Sequence, residues 1–178
     1  LFSFGGGVGL LLISFIISFL TPYLPSGHVT KVISIPSLNL TIEVPMNFYQ
    51  YLFYKSLAKG ENYFLLEDLS QLDIFDDLLF RNDVYKEIIY ELKAKVPNAQ
   101  DDEIVVYLVE LVQNLDYDYD KAENINFQVR FPYEVLYDHK GVCIEKSLLL
   151  IKLLSKLGYG VALIKTQNHA LVGIKCNR

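Results

Sequence analysis

The sequence predicts an α+β domain preceded by an apolar, membrane-spanning leader. Three observations lead there: residues 1–24 carry no charged side chain, the middle of the chain repeats apolar residues at helical threes and fours, and residues 161–176 alternate as strands. The chain has 178 residues, 52% hydrophobic and 21% charged, with a formal net charge of −5. That composition excludes a disordered polyelectrolyte, and the acidic balance offers no basic surface for nucleic acid. Two cysteines, Cys143 and Cys176, are too few for a disulfide-framed fold or a four-thiolate zinc site, and no metal or cofactor is expected. The chain starts at Leu1 and stops at Arg178 just after a strand-like run, so we expect both ends to be cut from a longer protein.

The leader comes first. The stretch LFSFGGGVGLLLISFIISFL is almost wholly apolar or small. At about 1.5 Å per residue, some twenty such residues cross a hydrocarbon core of about 30 Å. Tyr23 stands where an interfacial aromatic belongs, and Pro22 and Pro25 end the helix. Residues 1–24 are therefore expected to be a transmembrane helix that places the protein at a lipid bilayer. The side of the membrane is unreadable without an upstream loop. Residues 25–60 read as a linker: Pro25, Pro36 and Pro45 punctuate KVISI and LNLTIEV, which suit short edge strands or a tether. An aromatic run, NFYQYLFYKSL, follows near helical spacing, where core packing is the common explanation.

From Glu61 the pattern is helical, and residues 61–178 read as one domain. Leu65, Leu69, Leu72, Phe75 and Leu79 form a first stripe. Asp83 can cap a second helix with Tyr85, Ile88, Ile89, Leu92 and Val96 on one face, ended by Pro97. Asp101, Asp102 and Glu103 suit the positive end of a third, which runs through IVVYLVELVQNL. The segment DYDYDKAEN mixes carboxylates and tyrosines but lacks the sixth-position glycine and twelfth-position glutamate of a calcium loop, so it reads as a solvated turn. Residues 124–130 read as an irregular connection before Pro132.

The informative stretch is YDHKGVCIEKSLLLIKLLSKLGYG, residues 137–160. Ile144, Leu148, Ile151 and Leu154 form one side of a helix, with Glu145, Lys152 and Lys156 expected opposite and Gly158 as its stop. Cys143 stands in the first turn. There the free N–H groups and the helix dipole favour thiolate over thiol, and the same groups can stabilise an oxyanion. The runs VALIKTQ and NHALVGIKC read as antiparallel strands with a tight turn near Asn168. His169 opens the second, and strict alternation puts His169, Leu171 and Gly173 on one face and Ala170, Val172, Ile174 and Cys176 on the other. If His169 points to the cysteine helix, Cys176 points away as a packing residue and a Cys143–Cys176 disulfide is disfavoured. Asp138 reads as an Asx turn shaping the helix entry, and His139 as a solvated loop residue.

Taken together, Gly141-Val142-Cys143 opening a helix, Gly158-Tyr159 after it and His169-Ala170-Leu171-Val172 leading a strand resemble the transglutaminase-like superfamily, in its archaeal and bacterial cysteine-peptidase-like branch. The likeness extends upstream through DDEIVVYLVELVQNLDYDYD and covers about residues 83–178. It implies a papain-like α+β core, incomplete at its C-terminus, with a central cysteine helix on antiparallel strands. It also implies Cys143 as nucleophile and His169 as base and acid, acting on a peptide or protein amide. The triad's acid normally lies on the strand after the histidine strand, and Asn177, on the histidine's own strand, is not given that role. Val142 stands where many branch members have aspartate. The oxyanion side chain stays open, with Gln128 and Asn168 both suitable by chemistry. Two functions follow: a membrane-anchored cysteine acyl-transfer enzyme, or a noncatalytic structural or binding module on the same fold.

Overall fold

A computed structural model describes residues 27–57, 83–124 and 127–175. The predicted leader helix at 1–24 and the stripe from Leu65 to Leu79 lie outside the described residues. Among the described residues no helix is long and apolar enough to cross a membrane.

The stretch expected as a linker is built into the core. Strands β1 (His28–Ile35) and β2 (Leu40–Asn47) form an antiparallel hairpin in register from His28 opposite Asn47 to Ile35 opposite Leu40. A 3-10 turn at Pro36–Leu38 joins them, with Asn39 left-handed at φ 48°, a conformation asparagine tolerates better than most residues. Alternation sends Ile33, Ile35, Ile42, Val44 and Met46 inward, each fully or almost fully buried. Burial stabilises by about 1.5–3 kcal/mol per large aliphatic side chain, so this face is no tether. Asn47 then ends the strand and caps helix α1 (Phe48–Ser56), its Oδ1 accepting from Tyr49 N–H at 2.8 Å and Gln50 N–H at 3.3 Å. Its own N–H donates 2.7 Å to the Tyr133 hydroxyl, which fastens the hairpin to the later half of the chain.

Helix α2 (Val84–Lys95) starts where Asp83 accepts from Lys86 N–H at 3.2 Å, and it buries Tyr85, Ile88, Ile89 and Leu92. Helix α3 (Asp101–Gln113) starts as the acidic turn predicts, Glu103 accepting from Gln100 N–H at 2.8 Å, and it buries Ile104, Leu108, Leu111 and Val112. Strand β3 (Asp116–Tyr117) and helical turn α4 (Tyr119–Ala122) follow, then helix α5 (Pro132–Asp138), with proline at its first position. Strand β4 (Lys140–Gly141) pairs in parallel with β3, and helix α6 (Cys143–Lys156) leads into the antiparallel pair β5 (Val161–Lys165) and β6 (Ala170–Ile174). Helices α2, α3 and α5 and both strands of that pair pack on α6. The mixed helix and strand architecture with a central cysteine helix is the predicted one.

Charged residues of α6 depart from expectation. Glu145 and Lys152 are buried and Lys156 is largely so, because helices α2, α3 and α5 and the β5–β6 pair pack around α6 and leave these three side chains little access to water. Lys156 pairs with Asp83 at 2.7 Å, and Lys152 lies 5.4 Å from the Tyr85 ring centroid. Asp83 would be pushed up by burial, but Lys156, Lys86 and the Lys86 N–H hold it below the usual carboxylate range.

Candidate active site

Cys143 is the first residue of α6, and three features fix it there. Gly141 is a close-approach position: a Cβ would lie 3.2 Å from Val135 Cγ1 and 3.3 Å from Glu145 Cβ. Tyr117 pairs with Gly141 across the short parallel ladder, so the end of β3 lies beside the start of the helix. Glu145, third residue of α6, reaches back to accept from Val142 N–H at 3.0 Å, the carboxylate half of a capping box.

That carboxylate also anchors an ion-pair cluster beneath the nucleophile. Glu145 is 0% exposed and accepts from Lys121 Nζ at 2.5 Å, Arg130 N–H at 2.6 Å and the Arg130 guanidinium at 3.2 Å. The same guanidinium holds Asp118 at 2.7 Å and Asp138 at 2.9 Å, and Lys140 meets Asp118 at 3.4 Å. Three carboxylates thus face three cations, which is what lets so many charges be buried together. Two expectations are corrected here. Asp118, only 5% exposed, is no part of a solvated turn: its side chain caps α4 through Lys121 N–H at 3.3 Å while gripping Arg130. Burial alone would raise its carboxyl, but Arg130, the Lys121 N–H and Lys140 hold it below the usual carboxylate range. Asp138 ends α5 as a partner of Arg130 rather than as the shaper of an Asx turn. His139 is the left-handed cap of α5, φ 57°, and its carbonyl accepts from Asp116 N–H at 3.1 Å.

His169 arrives from the other side. It belongs to the turn between β5 and β6 rather than to the strand: Thr166 N–H donates 2.9 Å to its carbonyl, and its own N–H donates 3.1 Å to Thr166 Oγ1. On β6, Ala170 is buried, Val172 and Ile174 are half-buried and pack against the core, and Leu171 is exposed. His169 is exposed, and it and residues 170–172 line one cavity. Ser147, one turn beyond Cys143 on α6, donates 3.1 Å to the Ala170 carbonyl and pins that end of the hairpin to the nucleophile's helix.

The result is one cavity of about 420 Å³ with both Cys143 and His169 in its wall. Cys143 is a partly exposed free thiol. Cys176 and Asn177 lie outside the described residues. Neither Gln128 nor Asn168 lines the cavity, whereas Tyr117 does. Burial is the first cause that raises the Tyr117 phenol above its ordinary value, and the neighbouring Cys143 contributes to it. Sequence reading missed Tyr117 and Ser147. The usable signal for Tyr117 was its place just after an apolar helix and just before an aspartate that turns out to be buried. Among the described residues no cluster of ligating side chains could hold a metal ion.

A family model described as a transglutaminase-like domain matches residues 83–178 of this chain. No curated protein and no solved structure matches it.

Proposed function

Because the chain belongs to the transglutaminase-like domain family, we propose that it is a cysteine-dependent acyl-transfer enzyme acting on amide bonds. The observation that carries this reading is the shared cavity, which brings a helix-start thiol and an imidazole from a separate hairpin to one place. His169 takes the Cys143 proton, and the sulfur attacks the amide carbonyl carbon to form a C–S bond and an oxyanion. The free backbone N–H groups at the start of α6 are the donors for that oxygen, with the Tyr117 hydroxyl in the wall of the same cavity as a further candidate. Collapse breaks the C–N bond, the imidazolium protonates the departing amine, and a thioester remains. Water or a second amine, deprotonated by His169, attacks the thioester carbonyl and expels the sulfur, which regains its proton.

Anchoring at a membrane through residues 1–24 belongs to the same reading and rests on their hydropathy. The full chain should then resist alkaline extraction from membranes, and Leu12→Arg with Ile16→Arg should release it. The noncatalytic reading is favoured by one observation: among the described residues His169 is held through its backbone and no carboxylate is hydrogen-bonded to its ring. Iodoacetamide alkylation decides between them. An active nucleophile should alkylate at pH 6 at least tenfold faster than a free peptide thiol, and Cys143→Ala should lose that fast-labelling fraction. A rate no faster than the peptide's would sink the enzyme reading.

A further inference from the structure

The walls of the cavity beside Cys143 differ in kind. Val109 and Val112 of α3, Leu150 of α6, and Leu171 and Val172 of β6 supply an apolar surface. Two of the polar side chains among them, Lys146 and Ser147, are committed to the protein itself. The Lys146 ammonium donates to the Gln113 carbonyl at 3.0 Å and the Leu115 carbonyl at 2.6 Å, closing the end of α3, and burial pushes its pKa down. Ser147 spends its hydroxyl on Ala170. A ligand carboxylate entering this space would find the nearby cation already engaged, and a ligand ammonium would meet no lining carboxylate. An apolar side chain loses nothing there and gains contact area.

Resting on the acyl-transfer reading, we propose that the cavity is the acyl-side specificity pocket and that the scissile carbonyl belongs to a residue with an uncharged, apolar side chain of leucine or phenylalanine size. The volume of about 420 Å³ is within the range of pockets that enclose small ligands, and Cys143 is part of its wall.

The test uses the full chain and acyloxymethyl ketones of N-acetyl-leucine, -glutamine, -aspartate and -lysine. Cys143 Sγ attacks the ketone's methylene carbon, the C–S bond forms, and the acyloxy group leaves as a carboxylate. The leucine probe is expected to label Cys143 at least tenfold faster than the aspartate and lysine probes. Leu171→Asp, at a position 47% exposed, should erase the discrimination against lysine when each probe's rate is taken relative to the same variant's own iodoacetamide rate. Rapid iodoacetamide labelling with equal rates for all four probes overturns the pocket and leaves the nucleophile standing. Slow labelling by iodoacetamide and by every probe overturns both. As a readout independent of the thiol, N-acetyl-leucinamide should shift the methyl resonances of Val109 and Leu150 in Cys143→Ala protein where N-acetyl-aspartamide does not. Equal shifts from both amides would also overturn the pocket.

Discussion

Tyr117 shows how much depends on one hydroxyl. The residue is 39% exposed and lines the cavity that holds Cys143, so replacing it with phenylalanine removes a hydroxyl without emptying packed space. Loss of one oxyanion donor lowers kcat by about 10²–10³ in well-studied sites. Tyr117→Phe should therefore cut kcat by about a hundredfold with KM little changed, while the iodoacetamide rate at Cys143 stays within a fewfold of wild type. A fall in both together would mean that the phenol supports the thiol rather than the transition state. Glu145 is the contrasting case, a residue that acts through position alone. It touches the Val142 N–H that precedes the nucleophile and three donors from Lys121 and Arg130. Breaking a fully buried ion pair by removing one partner costs about 3–5 kcal/mol. Glu145→Ala should lower Tm by on the order of 10 °C in thermal unfolding, at about 2–4 °C per kcal/mol for a chain of this size.

At the scale of elements, the site is the meeting of two pieces that are separately anchored: the start of α6 and the β5–β6 hairpin. The hairpin is a two-stranded sheet, marginal by itself, and it is held by packing on α6 and by the Ser147 bond to Ala170. Ser147→Val removes that bond and leaves a carbonyl without it, at about 1–3 kcal/mol. Hydrogen exchange should then quicken in residues 161–174 and stay unchanged in the β1–β2 ladder, and the proposed catalysis should slow as the turn carrying His169 loosens from α6. Uniform loss of protection across both sheets would show that the hairpin does not open by itself. Local rules made most of these elements legible from sequence. Asp83 capping α2, the acidic start of α3 and the cysteine heading α6 each depend on neighbours within four residues. The burial of Glu145, Asp118 and Lys152 does not. A charged residue on a helical wheel is assigned to water by default, and the partner that reverses the assignment, Arg130 for two of them, comes from a loop whose position only the fold determines.

For the molecule as a whole, neutralised buried charge is the common thread, and acid is the condition that undoes it. Asp118 and Asp83 tie distant parts of the chain together, the first joining α4 to Arg130 and β4, the second joining the start of α2 to the end of α6. Both carboxyls titrate lower in the folded protein than the usual value of about 3.9 for an unfolded aspartate. A depressed folded pKa means that the unfolded chain binds protons first as pH falls. The stabilisation is therefore fully present above about pH 4–5 and is lost progressively as pH drops through the unfolded value towards the folded ones. Thermal unfolding should give a Tm that is flat between pH 7 and about pH 5 and falls steeply below about pH 4. In Asp118→Asn protein Tm should start lower at pH 7 and decline less on acidification, because one of the two titrating contributions is already gone. If the two proteins lost the same number of degrees between pH 6 and pH 3, acid sensitivity would reside elsewhere and the buried cluster under Cys143 would be no more than packing.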